Sequence, residues 1–83
     1  MHTLTREQQL QFLCIHPSIA IELIEAFIQT DGAKIECKRP KVREDLAYLL
    51  LEFCNLMLPP SYAPLIKEFR RFLIIKKVFK QSF

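Results

Sequence analysis

The chain has 83 residues, of which 51% are hydrophobic and 25% charged, and a formal charge of +3 at neutral pH. That length supports one domain with a thin core, because a chain this short buries only about 60–65% of the surface its unfolded form exposes. No uncharged span approaches the roughly 18 residues of a membrane helix, the three cysteines lack any C-x-x-C spacing that would signal a disulfide framework or a zinc site, and a single glycine cannot build a phosphate-cradling loop.

Residues 1–7 lack the basic stretch and apolar run of a secretory signal, so a cytoplasmic location with reduced thiols is expected. Thr5 and Gln8 have the spacing of a capping box, and Leu10, Leu13 and Cys14 then share a face, which predicts a first helix ending near residue 15. Pro17 suits a first helical position and disfavours a helical His16, so a second helix begins there as a separate element. Its apolar stripe is Ile19, Ala20, Leu23, Ile24, Phe27 and Ile28, opposite Glu22, Glu25 and Gln29, and Gly32 supplies the left-handed residue that stops it. Over 33–39 the helical period is lost. Ile35 and Cys37 alternate there with Lys34, Glu36 and Lys38, which predicts a short extended connector or one edge strand.

Pro40 opens a third helix to about residue 58. Val42, Leu46, Leu49, Leu50, Phe53, Cys54 and Met57 form its stripe, widened by Ala47, Leu51 and Leu58, as expected of a central helix. Pro59 and Pro60 stop it and Ser61 caps a fourth helix, on which Tyr62, Leu65, Ile66, Phe69, Phe72 and Leu73 lie on one face. Beyond Leu73 the register fails, since at about 100° per residue Ile74, Ile75 and Val78 project from the side held by Lys67 and Arg71. Either the helix end is wedged between two bodies, or residues 72–79 leave the helix and run extended; the wedge is the expectation. The predicted fold is all-α, a compact four-helix bundle or orthogonal array over 1–83 with the second and fourth helices flanking the third.

Catalytic chemistry has little to work with. His2 sits in the first residues and His16 at a helix junction, and Cys14 and His16, two apart on a helix, point about 200° away from each other with no orienting acid nearby. Glu22 with Glu25, and Glu44 with Asp45 and Glu52, have the spacing of a solvated helix face, and negative charge in a first helical turn is favoured by the helix dipole. No catalytic, metal or cofactor residue is expected, and the chain is read as a non-enzyme.

Two basic constellations remain. Lys34, Lys38, Arg39, Lys41 and Arg43 enter the third helix as a patch able to follow a phosphate backbone, although a connector of about ten residues is too long for a strict helix-turn-helix. Residues 64–83 carry six bases against one acid, a net of +5, while 1–63 has a net of −2. Burying Ile74, Ile75, Val78 and Phe79 is worth about 1.5–3 kcal/mol each, against a typical total stability of about 5–15 kcal/mol, so a second molecule is expected to cover them. The expected function is that of a small interaction or regulatory protein. It self-associates through its C-terminal helix, as a symmetric homodimer, and docks on a larger macromolecule with an acidic or apolar groove. Phe72, Ile74, Ile75, Val78 and Phe79 would anchor the contact, with Arg70, Arg71, Lys76 and Lys77 selecting the acidic partner. The competing reading is a dimeric helical nucleic-acid binder of transcription-regulator type, using the 34–43 patch and the C-terminal bases. Membrane-surface association is disfavoured by the absence of tryptophan and by apolar and basic faces that are not cleanly separated.

Overall fold

The computed structural model describes residues 3–30, 40–57 and 60–78. They form four helices, α1 (Arg6–Ile15), α2 (Pro17–Thr30), α3 (Pro40–Met57) and α4 (Ala63–Ile75), with a 3-10 turn over Pro60–Tyr62 before α4. The fold is all-α, with no strand among the described residues. The 33–39 connector, the Gly32 stop and Leu58 lie outside the described residues.

α1 begins where the capping chemistry places it. Thr5 is extended; its Oγ1 accepts from the Gln8 backbone N–H at 3.2 Å, while Gln8 Oε1 accepts from the Thr5 N–H at 2.9 Å. Two of the donors orphaned by a helix start are thereby satisfied. The helix ends at His16, whose N–H still donates to the Phe12 carbonyl at 2.9 Å but whose ψ of 67° is no longer helical, as the clash with the ring of Pro17 requires. The His16 carbonyl then accepts from Ile19 N–H at 3.0 Å, and the chain turns through 106° between α1 and α2. α1 and α2 therefore lie nearly at right angles.

A single cluster of buried side chains holds the helices together: Leu13 from α1, Ala20, Ile21, Ile24 and Phe27 from α2, Ala47, Leu49, Leu50, Phe53 and Cys54 from α3, Ile66, Phe69 and Leu73 from α4, and Val78 beyond it. α3 contributes the most. α1 packs chiefly on α3, and α4, which also reaches α3 through the Arg70–Asn55 hydrogen bond, packs chiefly on α2. Phe27 explains this, since the rings of Phe69 and Phe72 meet it edge-on at 5.6 and 5.9 Å, a geometry that adds about 0.5–1.5 kcal/mol per pair beyond the area buried. The buried face of α2 is turned relative to the stripe expected: Ile21, outside that stripe, is buried beside Ala20, Ile24 and Phe27, whereas Ile19, inside it, faces outward. An exposed ion pair, Arg6 with Glu52, ties α1 to α3.

Both ends of α4 depart from expectation. Ser61 does not cap it: Tyr62 occupies the N-cap position without a side-chain hydrogen bond, and the start is set instead by the 3-10 turn and by Pro64, whose fixed φ suits the first helical turn. At the other end the helix neither continues nor becomes a strand. Lys77 has a φ of 51°, its N–H donates to the Ile74 carbonyl at 3.2 Å, and the Val78 N–H donates to the Leu73 carbonyl at 3.1 Å. This is a Schellman ending with lysine in the left-handed position that glycine usually fills. It also reverses the chain so that Val78 comes to lie in the core beside Leu73.

Candidate interaction surface

α4 separates its side chains by depth. Ile66, Phe69 and Leu73 are buried and Leu65 and Phe72 half-buried on the inward side, while Lys67, Glu68, Arg70, Arg71, Ile74 and Ile75 are exposed on the other. Ile74 and Ile75 are 77% and 65% exposed. On the wheel they fall among Lys67, Arg70 and Arg71, and Lys76 and Lys77 follow in the turn, also exposed. The outer surface of α4 is therefore two bare isoleucines within five bases, with Glu68 as the one acid on that face of the helix.

Beside Ile74 lies an open apolar groove of about 320 Å3 between α3 and α4, lined by Leu51, Asn55, Arg70, Leu73 and Ile74. Arg70 Nη2 donates to Asn55 Oδ1 at 3.1 Å and so fixes one wall. A guanidinium carries five donors, so this bond leaves others for a partner.

The residues picked out by the sequence divide in consequence. Ile74 and Ile75 stand outward with Arg70, Arg71, Lys76 and Lys77 around them. Two of the expected contact anchors do not: Val78 is only 4% exposed because the Schellman turn folds it back, and Phe72 is engaged on the Phe27 ring. Phe79 lies outside the described residues, as do Lys34, Lys38, Arg39 and the side chain of Lys41. Arg43 is half-buried with its guanidinium 5.7 Å from the centre of the Phe27 ring, within the range of a cation–π contact. Leu51 and Asn55 escaped sequence reasoning because their place in the groove depends on how α4 crosses α3. The i, i+5 apolar pair Leu73 and Val78 was the available signal for the Schellman turn, hidden because position 77 is lysine.

Other chemistry is sparse. Burial pushes the Cys54 thiol above its ordinary pKa, with only partial relief from the nearby Arg70 charge and a backbone hydrogen bond, which keeps it a protonated, poorly nucleophilic core residue. Glu25 and Glu68 share a small cleft of about 140 Å3 between α2 and α4, and both remain exposed. Among the described residues no three of His, Cys, Asp and Glu come together in a group able to hold a metal ion. No single helix among them is long and apolar enough to cross a membrane; α1 with α2 passes by length and composition only as a bent pair.

A second exposed apolar area lies where α1 meets α2. Phe12, Ile15 and Ile19 are all exposed there, and the His16 ring sits 4.8 Å from that of Phe12. Comparison with protein-family models, curated proteins and solved structures finds no match to this chain.

Proposed function

We propose that this chain is a small interaction module that works by binding rather than catalysis, and that the outer face of α4 docks on an acidic amphipathic helix of a protein partner. The observation that carries this is the exposure of Ile74 and Ile75 within a ring of Lys67, Arg70, Arg71, Lys76 and Lys77. Isolated surface isoleucines need no explanation, but two adjacent ones beside an apolar groove, framed by five bases against the single acid Glu68, suit a partner that is apolar at its centre and anionic at its edge. The groove between Leu51, Leu73 and Ile74 would take one large apolar side chain. Carboxylates one helical turn away on the partner would then meet Arg70 and Arg71, whose planar heads bind carboxylates in bidentate fashion. The proposed setting is the cytoplasm, in keeping with Cys14 and Cys54 as free thiols.

Affinity capture with the full chain, followed by titration of the recovered protein after repurification, tests this. Ile74→Asp and the double reversal Arg70→Glu with Arg71→Glu should each weaken the complex tenfold or more, and raising salt from about 50 to about 500 mM should weaken it further. A complex indifferent to both variants overturns the α4 assignment. Binding of duplex or single-stranded nucleic acid at about 50 mM salt, abolished by the charge reversal, would replace it with the nucleic-acid binder.

A further inference from the structure

The exposed apolar area on α1 differs from that on α4 in one respect that bears on its partner. Between Glu7 and Glu22 the sequence holds no Asp, Glu, Lys or Arg. From Gln8 onward the outer face of α1 is Gln8, Gln11, Phe12 and Ile15, with exposed His16 against Phe12 at the bend, and Ile19 extends it onto α2. Ile15 is 72% exposed, nearly as bare as Ile74. Three apolar side chains at the α1–α2 bend thus face solvent with no Asp, Glu, Lys or Arg between them, the exposed Glu7 and Glu22 lying at the two ends of the stretch.

We propose that this corner is where two copies of the chain meet. Soluble homodimers are overwhelmingly two-fold symmetric, and a two-fold contact lays a patch against itself. Only side chains on the axis meet their own copies, but the net charge of such a patch is opposed by an equal net charge. The outer face of α4, with Lys67, Arg70 and Arg71 against Glu68, would set bases opposite bases, and like charges facing each other across an interface cost several kcal/mol. The α1–α2 corner incurs no such repulsion. Its apolar side chains are complementary to themselves, and the exposed Gln11 carries both a donor and an acceptor, so one copy can bond the other across the axis. The patch is small beside the roughly 800 Å2 per partner of a standard interface, which makes the dimer a dissociating one. This inference is independent of the α4 docking surface: the two faces differ in position and in charge, and either can fail without the other.

Sedimentation equilibrium of the purified full chain over roughly 1 to 500 µM, the range in which a contact below standard size dissociates, tests it. Wild type should pass from monomer to dimer, with an association constant unchanged or raised at about 500 mM salt, because an uncharged apolar contact is not screened. Ile15→Glu should weaken dimerisation tenfold or more, whereas Ile75→Asp should change it less than twofold. Gln11→Glu, at an exposed polar position that the fold does not depend on, provides a second charge on the same face and should also weaken it. A wild type monomeric across the whole range, a dimer unaffected by both α1 variants, or a dimer broken by Ile75→Asp overturns the proposal. So does a monomeric chain that sediments with phosphatidylcholine vesicles and loses them on Ile15→Glu, which would assign the corner to a lipid surface.

Discussion

α1 and α4 both cover the core from outside and both show bare isoleucines to solvent, yet they are anchored and charged in opposite ways. α4 is held by three buried side chains, Ile66, Phe69 and Leu73, and is locked at its end by Val78. α1 has only Leu13 fully buried and relies on a capping box, an exposed ion pair to Glu52 and half-buried Leu10 and Cys14. The outward face of α4 is basic and that of α1, past its first turn, uncharged. The difference teaches that exposed apolar area alone does not identify a partner: the charge around it is what separates the two proposals, a foreign acidic surface for α4 and a second copy of the chain for α1.

The harshest way to break the comparison is to remove what both faces share. Phe69→Ala deletes a fully buried ring that meets Phe27 edge-on, and should destabilise the fold by about 3–5 kcal/mol, measured by denaturant unfolding. Partner binding and dimerisation should then fail together, in proportion to the unfolded fraction. A loss below about 1 kcal/mol would show that α4 is not seated on α2 as described.

Leu13→Ala separates the faces. It removes the one fully buried side chain of α1 and should cost about 2–4 kcal/mol, freeing α1 while α2, α3 and α4 keep Phe27, Phe53 and Phe69 in place. Hydrogen exchange should show α1 amides losing protection well before those of α4, and dimerisation should be lost at protein concentrations where the α4 surface still binds its partner. Equal exchange in both helices would mean that α1 is anchored by more than its visible contacts.

Much of this arrangement was legible in the residues, and what was not has physical causes. Thr5 with Gln8, and Pro17 after His16, fix both ends of α1 because capping and proline sterics act within a few residues. The middle of the α3 stripe, from Leu46 to Cys54, and the α4 face from Leu65 to Leu73 are visible because those turns lie against the core, whereas Val42, Met57 and Tyr62, expected on the same faces, stand exposed towards the ends. The α2 stripe is rotated instead: Ile21 is buried with Ala20, Ile24 and Phe27 on one continuous face, and Ile19 lies outside it. Arg43 reads as part of a basic patch until Phe27, sixteen residues earlier, arrives beneath it. The fate of Val78 depends on a left-handed lysine that no propensity favours. As for the surface, the sequence supplied Ile74, Ile75 and the surrounding bases, while Leu51, Asn55 and the α1–α2 corner required the crossing of helices.

A finer test acts on α1 from its start. Thr5→Ala removes the acceptor for the Gln8 N–H and should cost about 1 kcal/mol, the usual magnitude for a lost N-cap. Because Thr5 lies outside both apolar faces, the loss should appear as lower protection in the first turns of α1 and a modest drop in dimerisation, with α4 binding untouched. Loss of partner affinity on Thr5→Ala would couple two faces that the fold keeps apart.

The smallest expected effect has the opposite sign and belongs to the end of α4. A non-glycine residue in the left-handed region carries a penalty that glycine avoids, so Lys77, with its φ of 51°, is held there by the two Schellman hydrogen bonds and by the burial of Val78 against Leu73. Lys77→Gly should therefore stabilise the fold by about 0.5–1 kcal/mol, offset in part by the greater freedom of glycine in the unfolded chain. It also removes one base from beside Ile74 and Ile75, so stability should rise while affinity for an acidic partner falls slightly, an opposition that a purely structural role for Lys77 would not produce. Val78→Ala gives the converse, a loss of stability with the full basic ring retained. If Lys77→Gly instead destabilises by more than 1 kcal/mol, the helix does not end in this turn, and the outward placement of Ile74 and Ile75 on which the α4 surface rests would have to be redrawn.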